Sequence, residues 1–356
     1  MRHDPDSLLS LLPYASPGQA RYIQAVIDAG SFRAGAQKAG VNARTVASAI
    51  AAARKKAALK GLALGHVAPT VHEDVVKTKG PIRHLVIPDT QVRPGVPIDH
   101  LTWIGRYIVA KQPDVIIHLG DHWDMPSLSS YDAGKKSFEG RRYVNDVHAG
   151  NVGLDALMVH MERYNEARKS AHEPQYKPRL VMLRGNHEFR IKRAVESDPK
   201  LDGLLGYHDF NDVAHGFEPV PFLQPIFING VKYVHFSVLN ASGNVMSSKY
   251  GQANARTQLN REMCSVVTGH KQGLDIANRP AHGKLLWSIV AGSSYLHSEE
   301  YLTPQGNSHW RGIVVLNDVR DGEFEPMPIT LQYLCRRYEG VELAEFMAKK
   351  GLLEGE

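Results

Sequence analysis

The sequence predicts an α/β domain preceded by a small all-α unit. Three observations carry that expectation. From residue 81 onward, apolar runs of strand length alternate with helical stretches. Several of those runs end directly in clusters of Asp, Asn, His or Gly, which places a site at strand ends. Ahead of them, residues 17–61 are alanine-rich, basic and helical in their spacing.

A length of 356 residues suits about two domains at ~100–200 residues each. With 43% hydrophobic and 22% charged residues, the chain reads as globular rather than disordered. No stretch approaches the ~20 apolar residues of a membrane span. Acids ahead of a short apolar run make the N-terminus a poor signal peptide. Cys264 and Cys335 are too few for a disulfide framework or a four-thiolate zinc site, so a reducing cytoplasm is expected. Residues 1–80 hold eleven Lys/Arg against five Asp/Glu. The whole chain carries +5, so the basicity belongs to the N-terminal part and the remainder is near neutral.

In the N-terminal part, Tyr22, Ile23, Val26 and Ile27 repeat at helical spacing, and Gly30 ends that helix. Ser31 caps a second helix with Phe32, Ala36 and Ala39 on one face. Gly40-Val41-Asn42 makes a tight turn, and Asn42 caps a third helix over 43–60. Its inner face is Val46, Ala49, Ile50 and Ala53. Two helices joined by a short Gly-containing turn form the helix-turn-helix pattern, here assigned to residues 1–61. The outer face of the third helix carries Arg44, Thr45 and Ser48, followed by Arg54, Lys55, Lys56 and Lys60. These suit phosphate contacts and some groove contacts on DNA. A helical bundle with a solvated basic face, or one that binds protein, is the competing reading. Residues 62–80 read as a linker.

Strands are expected at Ile82–Pro88, Val115–Leu119, Leu180–Leu183, Val231–Phe236, Ser265–Thr268, Leu285–Ala291 and Gly312–Leu316. Helical stretches lie at 99–111, 145–170 and 247–262. Five polar clusters follow successive strands: Asp89-Thr90-Gln91, Gly120-Asp121-His122-Trp123-Asp124, Gly185-Asn186-His187-Glu188, His235, and Gly269-His270-Lys271-Gln272. Each is weak alone; their order and their place after apolar strands make them specific.

Read as PDTQ, LGDHWD, LRGNHE, VHFS and TGHKQ, these clusters resemble the calcineurin-like metallophosphoesterase pattern of DxH, GDxxD, GNH(D/E), a strand His and GHxH. The resemblance covers residues 81 to about 320, within a catalytic domain taken as 81–330. It implies a four-layer αββα sandwich with a two-metal site at the sheet edges. Phosphate esters are anionic and resist anionic nucleophiles. Two divalent cations ~3.5–4 Å apart neutralise the phosphate and supply a hydroxide at neutral pH. The resemblance places Asp121 as the bridging carboxylate. Asn186, His235 and His270 complete one metal; Asp89, Gln91 and Gln272 complete the other.

Two departures matter. Gln91 and Gln272 stand where the family more often has His, and both fall on the same metal. The all-oxygen set of Asp89, Gln91, Asp121 and Gln272 favours Mn²⁺ or Mg²⁺. The other site keeps two imidazoles and suits Mn²⁺, Fe or Zn²⁺. A tight metal at the His site and an exchangeable one at the Gln site are expected; the alternative is that Gln272 is no ligand and one metal binds. The resemblance gives His187 the role of stabilising the phosphate and protonating the leaving oxygen, with Asp124 orienting it.

Around this set, His118 is expected to pack inside and His122 to reach substrate or pack. Arg184 and Arg190 either bind phosphate or form salt bridges. Trp123 either stacks on a base or fills its loop. LRGNHE also resembles protein serine/threonine phosphatases, but Met125 follows Asp124 where those have Arg, and Asp89-Thr90-Gln91 replaces their DxH.

A basic helix-turn-helix on a 19-residue segment would raise the concentration of DNA at the esterase domain. The layout looks like proteins encoded by bacteriophages and prophages, which would place it in a host cytoplasm. The expected function is a phosphodiesterase acting on DNA, a nuclease. Alternatives are a nucleotide phosphatase or phosphodiesterase, and a DNA-binding regulatory protein with a weak or inactive esterase domain. The tail 331–356 is expected to form a short amphipathic helix on the catalytic domain or on a partner subunit.

Overall fold

The computed structural model describes residues 8–9, 11–59, 81–130, 134–238, 245–246, 254–281, 283–299 and 304–352. It divides into two compact units, Met1–Lys77 with Tyr164–Gln175, and Thr78–Arg163 with Tyr176–Glu356. The expected linker, 62–80, lies outside the described residues.

In the first unit, α1 (Pro17–Ala29), α2 (Phe32–Ala39) and α3 (Ala43–Leu59) surround one apolar cluster. Its centre is Ile23, Val26, Ala36, Val46, Ile50 and Ala53, with Leu8 and Leu11 added from the preceding turn. The caps fall where the sequence puts them. Ser31 Oγ accepts from Ala34 N at 3.2 Å, and Asn42 Oδ1 accepts from Thr45 N at 2.8 Å. Each satisfies an orphan donor at a helix start. Arg44, Thr45, Ser48 and Lys56 are exposed on α3, as expected, while Ala49 is only half-buried. The side chains of Phe32, Arg54 and Lys55, and all of Lys60, lie outside the described residues.

The second unit holds two mixed sheets. Four parallel strands, β1 (His84–Ile87), β2 (Val115–His118), β3 (Arg179–Leu183) and β4 (Glu218–Val220), form one side of the first sheet. Antiparallel β10 (Gly312–Arg320) and β11 (Glu323–Thr330) complete it, in the order β11-β10-β1-β2-β3-β4. The second sheet runs β5-β6-β7-β9-β8, with β5 (Ile226–Ile228), β6 (Val231–Tyr233), β7 (Val266–Thr268), β8 (Leu274–Ala281) and β9 (Lys284–Ala291).

One core joins the sheets: Val86, Ile117, Val181, Leu183 and Val314 from the first meet Val231, Tyr233, Val267 and Ile289 from the second. The alternate residues Leu85, Ile87 and Ile116 are also fully buried, as strands covered on both faces require. On the far side of the second sheet, Ala255 and Leu259 of α7 (Ala255–Glu262) pack on Ala277 and Val290. The helix expected over 247–262 starts at Ala255; residues 247–253 lie outside the described residues. Helix α4 (Asp99–Lys111) matches its expected range and buries Leu101, Trp103, Ile104, Tyr107 and Ile108. The long helix α5 (Tyr143–Ser170) begins two residues before its expected start, and α6 (Phe189–Ser197), which the sequence reading passed over, follows Glu188.

The tail forms two helices, α8 (Leu331–Glu339) and α9 (Leu343–Lys349), where one was expected. Gly340, with φ of 74°, separates them. The tail closes on α4. Trp103 donates to Glu339 at 2.7 Å and meets the Phe346 ring edge-on, centroids 5.1 Å apart. Among the described residues no helix is long and apolar enough to cross a membrane.

Trp103 is fully buried at this junction. Trp103→Ala is expected to cost ~3–5 kcal/mol through the cavity it leaves. A lowered urea midpoint would register the loss; an unchanged midpoint would place the tail outside the cooperative fold.

Candidate metal centre

The candidate ligands follow strands. Asp89 and Asp121 come after β1 and β2, Asn186 after β3, His235 after β6, and His270 and Gln272 after β7. These strands run parallel within their own sheets, so their carboxyl ends deliver side chains to one region between the sheets.

Asp121, His235 and His270 bring ligand atoms within 4.8 Å of one another, a grouping that can hold a metal ion. His235 Nε2 lies 3.3 Å from Asp121 Oδ2 and 3.0 Å from Asn186 Oδ1. His270 Nδ1 lies 2.8 Å from the same Asn186 oxygen. The other nitrogen of His235 faces the Leu119 carbonyl at 2.8 Å, which fixes the ring's orientation and leaves Nε2 for the centre. Asp89 enters from the other side, where its Oδ1 accepts from His270 N at 2.9 Å. The structure thus brings Asp121, Asn186, His235 and His270 together, with Asp89 adjoining.

The two glutamines are placed differently. Gln91 joins through its backbone, donating to the Asp121 carbonyl at 2.8 Å. Gln272 turns its amide nitrogen toward Asp89 Oδ2 at 3.4 Å and the His270 carbonyl at 3.3 Å. The side-chain oxygens of both are buried without a hydrogen-bond partner among the described residues. Unpartnered buried carbonyl oxygens beside two carboxylates suit a hard cation, although Gln272 must rotate its amide to offer one. Donor set and orphaned oxygens together fit divalent metal.

Close approach explains two glycines. A Cβ at Gly185 would stand 2.0 Å from Asp121 Oδ1, and one at Gly269 2.5 Å from Asp89 Oδ1. Three ligand candidates adopt left-handed backbone: Gln91 at φ 42°, Asp121 at 52° and His270 at 67°. Such conformations cost ~1–3 kcal/mol each and persist where the surroundings dictate them.

Electrostatics follow from the crowding. Burial, then the Asp121 charge, pushes the Asp89 carboxyl up. Burial also works against ionised Asp121, but His187 and His235 hold it below the usual carboxylate range. Burial opposes charge on His235, yet Asp121 lifts it to about 9. His270 is pushed down to about 3, by burial first and by His235 second.

His187 stands beside this group. Its Nδ1 contacts Asp124 Oδ1 at 2.5 Å, its backbone N donates to Asp121 Oδ1 at 2.9 Å, and its Nε2 lies 3.7 Å from Asp121 Oδ2. Asp124 is thus the residue in contact with His187 Nδ1.

The remaining candidates, each read with two alternatives, take these places. His122 is fully buried, with Nδ1 at 2.7 Å from Thr90 Oγ1 and Nε2 at 2.9 Å from the Gly150 carbonyl, so neither nitrogen faces a substrate. Arg184 is buried, pairs with Asp212 at 2.6 Å and lies over the Tyr207 and Phe210 rings, a structural role. Trp123 stacks on Phe210, centroids 4.0 Å apart, and fills its loop. Arg190 holds the Asp124 and Met125 carbonyls at 2.7 and 3.3 Å and comes within 3.4 Å of His187 Nε2. His118 packs inside as expected, against Thr90 and the Gly120 N–H.

Sequence reasoning left Glu188 without a role. Its buried carboxylate accepts from Asp121 N, His122 N, Trp123 N and Gly185 N at 2.7–3.0 Å. It thereby ties the loop after β2 to the turn after β3. The available signal was its place in the GNHE string. Arg93 and Glu299 were missed as well: Arg93 Nη1 reaches both Asp124 Oδ2 and Glu299 Oε1 at 2.9 Å.

No protein-family model matches the chain, and no curated protein matches it. Among solved structures, one crystal structure aligns over 100% of its own chain and 70% of this one, at 10% identity and a TM-score of 0.33.

Two outcomes are expected from substitution here. His235→Ala should abolish tight uptake of Mn²⁺ in calorimetric titration, whereas His187→Ala should leave it within about threefold; equal losses would remove the distinction between ligand and neighbour. Glu188→Gln replaces an acceptor-only group with one carrying N–H, facing backbone donors, and should cost ~1–3 kcal/mol in denaturant unfolding.

Proposed function

We propose that this chain is a metal-dependent phosphoesterase of the calcineurin-like type, built as an αββα sandwich, that cleaves phosphodiester bonds in DNA. The observation that carries the reading is the convergence of Asp89, Asp121, Asn186, His235 and His270 at the strand ends of both sheets, with His187 held beside them by Asp124. Asn186, His235, His270 and Asp121 would hold one cation; Asp89, Asp121, Gln91 and Gln272 would hold a second, weaker one. Divalent cations bound there would supply positive charge to neutralise the ester and to activate the attacking water.

The protein's own groups supply the rest. His187 presents Nε2 toward the centre while Asp124 engages Nδ1, so a proton on Nε2 can pass to the departing oxygen. Arg190, close to that nitrogen, adds positive charge where the phosphate would gather negative charge. The Asp124–Arg93–Glu299 and Glu188 contacts keep these groups in place without substrate.

DNA as the substrate is supported by the basic N-terminal segment and by Arg44, Thr45, Ser48 and Lys56 exposed on α3. That α3 is capped by Asn42 and packs on the N-terminal apolar cluster supports the helix-turn-helix reading.

A substrate panel tests this. Mn²⁺-loaded protein should cut DNA and hydrolyse a bis-ester faster than a mono-ester. Arg44→Glu with Lys56→Glu should weaken DNA binding and reduce the salt slope by about one to two. Mono-ester activity indifferent to those substitutions would favour a nucleotide phosphatase. Salt-sensitive DNA binding without hydrolysis would favour a regulatory protein.

A further inference from the structure

A buried chain of charges leads away from His187. Asp124 is 5% exposed and uses both carboxylate oxygens. Oδ1 faces His187 Nδ1 at 2.5 Å, and Oδ2 accepts from Arg93 Nη1 at 2.9 Å. The same Arg93 nitrogen donates to Glu299 Oε1 and Oε2 at 2.9 and 3.0 Å. Glu299, 4% exposed, is held in turn: its Oε1 meets His297 Nε2 at 2.8 Å. Its backbone N donates to Asn307 Oδ1 at 2.8 Å, and its carbonyl accepts from Asn307 Nδ2 at 3.1 Å.

The geometry points to Arg93 and Glu299 as positioning residues for His187, acting through Asp124. The proposal rests on the phosphoesterase reading for what His187 does, and on the contacts alone for how it is held. A carboxylate that bonds an imidazole through one oxygen can still rotate about its Cβ–Cγ bond. Arg93 removes that freedom by engaging the second oxygen, and Glu299 fixes Arg93 from behind. The arrangement spans residues far apart in sequence: Arg93 follows β1, Asp124 follows β2, and Glu299 follows β9. Arg190 donates to the Asp124 backbone carbonyl at 2.7 Å and lies 3.7 Å from its Oδ1, so Asp124 is held through its main chain as well as through both carboxylate oxygens. None of these contacts involves the candidate ligands' side chains.

A positioning role has a signature that a merely structural one lacks. Protonating the leaving oxygen matters most for a poor leaving group, such as the sugar oxygen of DNA, and little for p-nitrophenolate. Mn²⁺-loaded, full-length protein is assayed on thymidine 5′-p-nitrophenyl phosphate and on the dinucleotide TpT. Arg93→Met should lower kcat on the dinucleotide by roughly 10- to 100-fold with KM within about twofold. On the p-nitrophenyl ester the loss should stay below about threefold. Glu299→Gln, which leaves Arg93 one acceptor oxygen and removes the charge, should move the same ratio in the same direction by less. Arg93→Lys serves if Arg93→Met fails to fold.

Equal losses on both substrates, or no loss on either, would overturn the proposal. If the wild-type protein hydrolyses neither, the phosphoesterase reading fails by itself, and the positioning claim is read directly. Long-range ¹H–¹⁵N spectra of the metal-free full chain report the His187 Nδ1 hydrogen bond to Asp124. Arg93→Met should shift that signal; an unmoved signal would end the claim.

Discussion

Two carboxylates that cannot reach water set the terms for the rest of this site. Asp89 and Asp121 are 0% and 1% exposed, just past the ends of neighbouring parallel strands, and each charge opposes the other. Burying like charges is tolerated only with compensation. Asp121 finds it in His187 and His235, and Asp89 in the His270 N–H and the Gln272 amide. Glu188 adds a third buried carboxylate and spends it on backbone donors. A pocket with this surplus of acceptors, including two orphaned glutamine oxygens, is energetically suited to a cation.

That concentration is held by a scaffold of low adaptability. The strands β1, β2, β3, β6 and β7 are almost wholly buried, so the positions of their ends are fixed by core packing. The loops that follow adopt left-handed backbone at Gln91, Asp121 and His270, and glycines at 185 and 269 leave room for carboxylates. Among the described residues, three of the eleven non-glycine positions with positive φ are thus candidate ligands.

The parts of the fold that were illegible share one property. All four strands that the sequence reading missed, β4, β5, β8 and β11, are edge strands. Three contain proline: Pro219 in β4, Pro280 in β8, Pro326 and Pro328 in β11. Proline removes a ladder donor and is tolerated at edges, so it breaks the apolar runs by which central strands are recognised. The missed hairpins nonetheless had signals. Asn229-Gly230 joins β5 to β6 and Asp321-Gly322 joins β10 to β11, and all four residues have the positive φ that two-residue hairpin turns require. At the site, the pairing of His187 with Asp124 was expected from the resemblance to the metallophosphoesterase pattern, while Arg93 and Glu299 were not expected, because a solitary Arg or Glu in a loop has no pattern.

By itself the sequence determined the alternation of strand and helix, the three N-terminal helices with the Ser31 and Asn42 caps of the second and third, and the polar residues that follow the central strands. These are local: period, cap and turn are written within a few neighbouring residues. Only the tertiary structure decided that His122 and Arg184 are committed to the interior, that Glu188 ties two loops together and that the tail folds back onto α4 as two helices. It also decided that Arg93 joins Asp124 to Glu299. Each of those depends on partners tens to hundreds of residues away, whose meeting is dictated by how two sheets pack and not by the residues on either side.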